Sequence, residues 1–564
     1  MIAKNKTALL KILTPASPAP QESYAASELR HYLNLMTAAP FEIATQAEGP
    51  AISIVLDESL GEDVFTVKTQ GEGVAVAGGR RGVIYGAYAL LEELGCRFFT
   101  PTCEKIPCVP DLPLPVLDIV QKPALEYRWH NYRDLSQYPR FAVKSRVNGT
   151  ALPAEYGGGM PYAWFVHSFD REIIPPEEYF EEHPEYFSLI NGERVRDFSQ
   201  LCLTNMEVLE ITVEKVRAAL CKRPECRIIS VSQNDWMNYC ECPSCAAIDE
   251  REESHAGSLI RFVNQVAEQI EDEFPDVVID TLAYMYTRRP PKTIRPRHNV
   301  CVRLCSIECC FTHSFEACSC DENGNFVEDL RAWAGVCDRL YIWDYTTGFA
   351  HYPAPHANWN ALQPNMQCFV KNNVKGVFEQ ACGAHGGGTD LNELRAYLIC
   401  KLLWDPDCDL ERHKREFCEY YYGEAAPHIL AYIAALTGKV ERENIHTGFN
   451  EQCDKAYLTD KMLDIYDQYF EQAERAVLGD ALRHARVAKA RLSLRWVRMK
   501  NAQMLRHEIE PEQVNQFYAD WRAHGLTRID EWVSAETTLR AFLDGKWRGT
   551  EYYRHWADEG AERL

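Results

Sequence analysis

Acidic and aromatic side chains gather at a recurring place in this sequence, just after short runs rich in β-branched and aromatic residues. One run leads into Arg128-Trp129-His130-Asn131-Tyr132-Arg133-Asp134, another into Ser232-Gln233-Asn234-Asp235, a third into Tyr284-Met285-Tyr286. Three more lead into Ser306-Ile307-Glu308-Cys309-Cys310, Trp343-Asp344-Tyr345 and Glu379-Gln380. Carboxyl groups supply acid and base, and aromatic rings supply flat apolar faces with polar edges. A sugar ring has an apolar face and a hydroxyl rim, so this mixture suits carbohydrate. Cleaving a glycosidic bond commonly takes two carboxyl groups, one of them kept protonated by burial or a neighbouring charge. Asp235, Glu308, Asp344 and Glu379 are the four candidates. Each alone is as well explained by a helix cap or an ion pair; four at corresponding places point to one polar site. Asn234-Asp235 also allows a division of labour. Asn234 would hold a substrate acetamido group whose own carbonyl attacks, while the neighbouring acid, Asp235, protonates the leaving oxygen.

Such a site needs a scaffold that brings the ends of the runs together. Eight β-rich runs can be read, at 125–132, 146–152, 201–205, 227–233, 277–284, 299–305, 339–343 and 374–378, with helical patterns such as 208–220 and 258–274 between them. Strands alternating with helices in this way predict an α/β fold, a (β/α)8 TIM barrel whose chemistry sits where strands pass into βα loops. The barrel is expected over 116–408. Before it, 1–115 reads as a small α/β domain, with a helix over 25–36, a strand over 51–56, a hairpin around Gly71-Glu72-Gly73, and a helix over 83–94 ended by Gly95. Gly78-Gly79-Arg80-Arg81-Gly82 fits neither a dinucleotide nor a P-loop fingerprint, so tight strand–helix packing is expected there. Six prolines between 101 and 123 suggest an extended linker. After it, 409–564 reads as an α-helical domain with long amphipathic patterns over 456–478 and 480–505. The second pattern carries Arg483, Arg486, Lys489, Arg491, Arg495 and Arg498, expected to be solvated or paired with acids.

Composition narrows the partners. The chain has 564 residues, with 60 basic against 82 acidic side chains and a net charge of −22. That sign disfavours nucleic acid, and no apolar run reaches the length of about 18 residues that a membrane span needs. Residues 1–20 lack the continuous apolar segment of a secretory signal, so a cytoplasmic location is expected. The 22 cysteines are then expected as thiols rather than disulfides. They cluster at Cys240, Cys242 and Cys245, and again at Cys305, Cys309, Cys310, Cys318 and Cys320. Cys242 and Cys245 have the spacing of a zinc half-site, but no regular second half-site follows; packed free thiols, a structural zinc and a redox pair all remain open. His167, His351, His356 and His385 fall in βα loops, and His167 is the one assigned to substrate.

Several long motifs carry a resemblance. VSQNDWMNYCECPSC (231–245), LCSIECCFTH (304–313), LYIWDYTTGFAHY (340–352), VKGVFEQ (374–380) and ELRAYLICKLLWDP (393–406) resemble a bacterial family, formerly a domain of unknown function, associated with glycoside hydrolase family 163. RRGVIYGAYALLEELGCRFFTP (80–101) resembles the small α/β domain that precedes the barrel in family 20 hexosaminidases and in α-glucuronidases. The resemblance implies a retaining, substrate-assisted glycosidase of endo-β-N-acetylglucosaminidase type, acting on N-acetylglucosamine-containing glycans. Where family 20 enzymes carry an Asp-Glu pair at the fourth strand, this sequence has Asn234-Asp235. The expected catalytic residues are therefore Asn234, Asp235 and Glu308, with Trp129, Asn131, His167, Tyr284, Trp343, Asp344, Tyr345 and Glu379 lining the sugar subsites. No cofactor and no catalytic metal are expected. The partner is an oligosaccharide rather than nucleic acid or membrane, and the C-terminal helices offer a surface for a homo-oligomer. Two other readings stand beside this one. An α-glucuronidase-like hydrolase would use Arg128, Arg133 or Arg303 for a uronate carboxylate, and a non-catalytic carbohydrate-binding barrel would use the same aromatics.

Overall fold

A computed structural model describes residues 1–149, 151–383, 386–505, 507–532 and 534–544; His385 lies outside them. Near the N-terminus, Ala51–Leu56, Phe65–Gln70 and Gly73–Gly78 alternate buried apolar with more exposed residues, the period of a sheet covered on one face. They form the centre of a six-stranded mixed sheet that also takes in Lys11–Leu13, Ile43–Ala44 and, from the proline-rich stretch, Asp118–Gln121. The helices Pro20–Thr37 and Gly82–Glu93 pack on it. The glycine-rich turn serves close packing: a Cβ on Gly82 would sit 2.0 Å from the Val64 carbonyl oxygen.

The second sheet is the one that matters for chemistry. It has six strands, all parallel, in the spatial order Tyr127–His130, Val374–Gln380, Leu340–Tyr345, Val300–Cys305, Val278–Ala283, Ile228–Ser230. Connecting helices such as Met206–Lys222, Ala256–Ile270, Asp321–Ala334 and Leu362–Lys371 intervene in sequence. The result is a mixed α/β fold built on a curled parallel half-barrel. The two remaining expected strands are not strands. At 146–152, Gly149 lies so close to the Trp129 side chain that a Cβ would meet its Cβ at 2.3 Å, and Pro153 and two left-handed glycines, Gly157 and Gly158, follow, a composition that does not carry a ladder. At 201–205, Leu201 makes one antiparallel bridge to Phe187, and Asn205 caps the next helix. Irregular hydrogen bonds span the interval instead. The Asn148 and Gly149 N–H groups donate to the Arg128 carbonyl, Met160 N–H to Asn148, and Ala163 N–H to Ile228.

Strand alternation decides what faces the inside of the curl. Tyr127, Tyr162, Ile228, Val278, Cys301, Tyr341 and Phe378 form one buried cluster against which Trp129 and Trp343 pack. Ile342 and Val377, the intervening residues, belong instead to the core shared with the helices. Gly376 has no room for a side chain, since a Cβ would lie 2.7 Å from Tyr127 and 2.8 Å from Tyr341, whose rings stack at 5.4 Å. Above this layer Arg303 pairs with Asp280 at 3.3 Å, both fully buried.

The described chain after residue 409 is helical, including Leu410–Tyr421, Ala426–Arg442, Asp460–Ala476, Ala481–Met504, Pro511–Ala523 and Ala535–Leu543. Its basic stripe is paired: Lys489 with Glu393, Arg491 with Asp467 and Glu474, Arg495 with Asp520, Arg498 with Asp464. No helix among the described residues is long and apolar enough to cross a membrane.

Candidate active site

The C-terminal ends of the parallel strands open into a mouth whose floor is aromatic. Trp343 and Tyr345 are two apart on one strand, so both point inward with Tyr341, and their rings stack at 6.4 Å. Phe165 leans on Trp343 at 5.5 Å and is 41% exposed, the profile of a ring available to a ligand. Tyr284 stands at the end of its strand, beside Leu282 and Cys305.

Two carboxylates share this mouth. Asp235 is exposed and accepts a 2.8 Å hydrogen bond from the Tyr284 hydroxyl. Glu308 is 36% exposed on its side chain and pairs with Arg288 at 3.3 Å, Arg288 also holding Asp329 at 2.8 Å. Burial, with the nearby charges of Asp235 and Glu308, pushes the Tyr284 ionisation far up. The Tyr345 hydroxyl is pushed up by burial and by several groups that include both carboxylates. The structure thus brings Asp235, Glu308, Tyr284 and Tyr345 together.

His167 joins them from the irregular segment just before the turn Phe169–Ile173. Its ring lies 6.2 Å from that of Tyr284, its backbone is left-handed at φ 58°, and its N–H donates to Ser232 Oγ. Its Nδ1 lies 2.8 Å from the Gln233 carbonyl. A carbonyl only accepts, so Nδ1 carries the proton. Burial lowers the imidazole pKa, which leaves Nε2 a neutral acceptor.

Asn234 differs from expectation. Its Oδ1 accepts from Asp170 N–H at 3.1 Å and its Nδ2 donates to the Ser199 carbonyl at 2.9 Å. Gln200 brackets its backbone, accepting from Asn234 N–H and donating to the Asn234 and Trp236 carbonyls. Both ends of the amide are occupied by the protein, so Asn234 fixes the loop that presents Asp235 rather than reaching for an acetamido group.

Asp344 and Glu379 also differ. They sit beside each other in register but on the odd side of the alternation, with Ile342 and Val377, facing the helices rather than the mouth. Ser306 Oγ donates to Asp344 at 2.5 Å. Burial raises Asp344 to about 6, and burial plus the Asp344 charge raises Glu379 well above the carboxylate range. Their neighbours Trp343, Tyr345 and Gln380 are the ones that face inward. Trp129 also faces the interior. Asn131 ties together the ends of the neighbouring strands Tyr127–His130 and Val374–Gln380, its Oδ1 accepting from Ala381 N–H.

The arginines proposed for a uronate carboxylate are committed elsewhere. Arg128 points outward, fully buried, to Asp63 beside the N-terminal mixed sheet at 3.3 Å. Arg303 is the core partner of Asp280, and Arg133 holds the Gly525 carbonyl at 2.7 Å.

One carboxyl was not visible in the sequence. Glu531 arrives from the chain between the last helices. Trp343 Nε1 donates to Gln380 Oε1 at 2.8 Å, Gln380 Nε2 donates to Glu531 at 3.2 Å, and Tyr352 donates to its other oxygen. Burial raises Glu531 to about 8. Nothing near residue 531 has a catalytic pattern; only tertiary structure places it there. Phe165 and Arg288 were missed for the same reason, since neither ends a β-rich run.

A family described as "Domain of unknown function (DUF4838)" matches residues 98–434. No curated protein matches the sequence. Among solved structures, BtGH115A, a family GH115 4-O-methyl-α-glucuronidase with specificity for decorated arabinogalactans, shares 12% identity and a TM-score of 0.56 over 95% of this chain and 77% of its own. CpGH89 from Clostridium perfringens, solved with its substrate GlcNAc-α-1,4-galactose, shares 12% identity and a TM-score of 0.50 over 89% of this chain and 65% of its own. At these identities the likeness is one of fold.

Proposed function

This chain belongs to the DUF4838 family, and from that premise we propose that it is a glycoside hydrolase whose substrates are N-acetylglucosamine-containing glycans. The observation that carries the reading is the pair of exposed carboxylates, Asp235 and Glu308, set over one aromatic floor at the C-terminal ends of parallel strands. We read the irregular segments around Asn148 and Tyr162 as standing in for the second and third members of a (β/α)8 barrel, and strand C-terminal ends are where such barrels do chemistry. The fold shared with BtGH115A and CpGH89 makes a sugar-cleaving role a natural use of the mouth, but a fold does not assign chemistry; the carboxylates do.

In this reading a pyranose lies on Trp343 and Tyr345, with Phe165 at the open side and His167 Nε2 accepting from a hydroxyl. Asp235, aligned by Tyr284, orients the substrate acetamido group and stabilises positive charge as its carbonyl oxygen attacks the anomeric carbon. Glu308 gives a proton to the leaving oxygen and then takes one from the water that opens the cyclic intermediate. Two displacements at one carbon retain configuration. In this reading the acetamido-orienting role falls to Asp235 rather than to Asn234, whose amide the protein itself occupies. The test is product release from N-glycans and aryl N-acetylglucosaminides, followed by mass spectrometry, with Asp235→Asn and Glu308→Gln as controls. Aryl glucuronides belong in the same panel, and their exclusive turnover would replace this reading with the uronidase one.

A further inference from the structure

The loop after the Ile228–Ser230 strand carries Cys240-Glu241-Cys242-Pro243-Ser244-Cys245, and the fold brings a fourth cysteine to it from a distant stretch, Cys202. The four sulfurs lie within 4.8 Å of one another, and all four side chains are buried in a small cluster of their own. Cys202 Sγ and Cys242 Sγ are 3.7 Å apart. A disulfide holds its sulfurs about 2.05 Å apart. Around tetrahedral zinc, with Zn–S bonds of about 2.3 Å, sulfurs sit about 3.8 Å from each other.

The surroundings favour thiolates over neutral packed thiols. Leu189 N–H donates to Cys240 Sγ at 3.4 Å, and Arg194 Nη1 stands 3.8 Å from the same sulfur. Thr204 Oγ1 lies 3.3 Å from Cys245 Sγ and 3.7 Å from Cys242 Sγ. Cys242 is the N-cap and Cys245 lies in the first turn of the helix Pro243–Glu252, so the positive end of the helix dipole faces the sulfurs. Donors and positive charge aimed at sulfur do little for a neutral thiol. They offset the net −2 charge of a metal ion held by four thiolates.

We propose that Cys202, Cys240, Cys242 and Cys245 form a structural zinc site. On binding, each thiol releases its proton to solvent and each sulfur donates a pair to the ion; no electron changes hands. Four protein ligands close the shell, leaving no position for water or substrate. The consequence is mechanical. Gln200, two residues before Cys202, brackets Asn234, and Cys240 follows Asp235 by five residues, so the ion locks together the two segments that present Asp235.

A second set of donors stands on its own geometry. Cys310, His313, Cys318 and His446 also lie within 4.8 Å of one another. Cys310 Sγ is 3.4 Å from His313 Nδ1, and Cys318 Sγ is 3.5 Å from His446 Nδ1. The buried His313 Nε2 has no hydrogen-bond partner. This set is a second zinc site, of two sulfurs and two nitrogens, which joins the loop after the Val300–Cys305 strand to the chain following Ala426–Arg442.

The test is metal analysis of the full chain, purified without chelator from zinc-supplemented cells. The two clusters predict two zinc ions per chain, one lost in Cys242→Ser and the other in His446→Ala. Cobalt substitution distinguishes them. The four-sulfur site gives the stronger sulfur-to-cobalt charge-transfer bands, and Cys242→Ser removes those while His446→Ala leaves them. If the serine variant fails to fold, the wild type still decides: a mercurial titrating its thiols releases zinc in step with the reaction, and thermal stability falls as it leaves. Wild-type protein that carries no zinc, and shows no charge-transfer bands with cobalt, overturns both sites. Full zinc retention in Cys242→Ser overturns the first alone, and full retention in His446→Ala the second alone.

Discussion

Asp235 and Glu308 stand in the loops that follow Ile228–Ser230 and Val300–Cys305, whereas Asp344 and Glu379 lie within strands and face the helices, and that makes a sharp comparison at the level of single residues. Asp235→Asn and Glu308→Gln should each lower kcat/KM by about 10²–10⁴, the range for a group that moves a proton or stabilises charge in the transition state. Asp344→Asn and Glu379→Gln should stay within a few-fold of wild type, because these side chains face the helices. Burial raises both buried acids, so their neutral forms are the ones the fold prefers, and the amides should not lose stability at pH 8. Parallel kinetics and thermal melts on the four variants check this. Asn234 gives a second comparison. If its amide held the acetamido group, Asn234→Asp would restore the acid found there in family 20 enzymes and preserve activity. Here the new carboxylate faces the Ser199 carbonyl, to which Asn234 Nδ2 now donates, so kcat/KM should fall at least about tenfold; an Asn234→Asp enzyme as fast as wild type would return the acetamido role to residue 234.

At the scale of elements, the segment that carries Glu531 works as a strap across the mouth. It is tied to the sheet by the Trp343–Gln380–Glu531 chain and to the neighbouring loop by Tyr352. Burial raises the Glu531 carboxyl to about 8. A raised folded pKa means that its contribution to stability is complete below the unfolded value of about 4.3 and is lost as pH rises through about 8. The wild type should therefore lose stability between about pH 5 and 9 relative to Glu531→Gln, by on the order of a few kcal/mol at the alkaline end. Denaturant midpoints across that range measure it, and identical pH profiles for the two proteins would show that the strap is not held this way. The elements themselves were largely legible in the sequence. Six of the eight β-rich runs are strands, because parallel strands covered on both faces are continuous apolar stretches. The runs at 146–152 and 201–205 misled because apolar content imitated a strand where Gly149 and the Asn205 cap impose irregular backbone. Strand ends were found for the same reason, but which of two adjacent side chains points inward depends on register, and register is fixed by pairing rather than by composition. Trp343 and Asp344 were equal candidates until the strands paired.

Across the whole molecule, the segment leading into the N-terminal mixed sheet is tied to the parallel sheet by buried charge. Asp63 receives Arg81 at 2.5 Å and Arg128 at 3.3 Å. Burial opposes the charge on Asp63, but Arg128 and Arg81 outweigh it and hold its pKa below the ordinary carboxylate value. Its stabilisation is thus present at neutral pH and lost as pH falls through that lowered value. Asp63→Ala leaves Arg128 buried without its carboxylate and Arg81 with Glu62 alone, at 2.8 Å, and should cost about 3–5 kcal/mol, with little salt dependence because the pair is shielded from solvent. Urea denaturation at low and high ionic strength reads both effects. This lock was not legible: Arg128 lies within the strand Tyr127–His130, where sequence position suggested substrate, and only the packed structure shows it turned outward. The acid-rich surface and the paired arginines of Ala481–Met504 were, by contrast, foreseeable from charge counting. The central claim concerns what the mouth does, and one measurement reaches it most directly: mass-spectrometric product analysis of N-glycans and aryl N-acetylglucosaminides incubated with wild type, Asp235→Asn and Glu308→Gln. The account predicts release of a retained-configuration product by the wild type, at a bond reached from an N-acetylglucosamine residue, with both variants nearly inactive. Folded wild-type protein that binds these glycans and releases nothing, or variants that turn over at the wild-type rate, would contradict it.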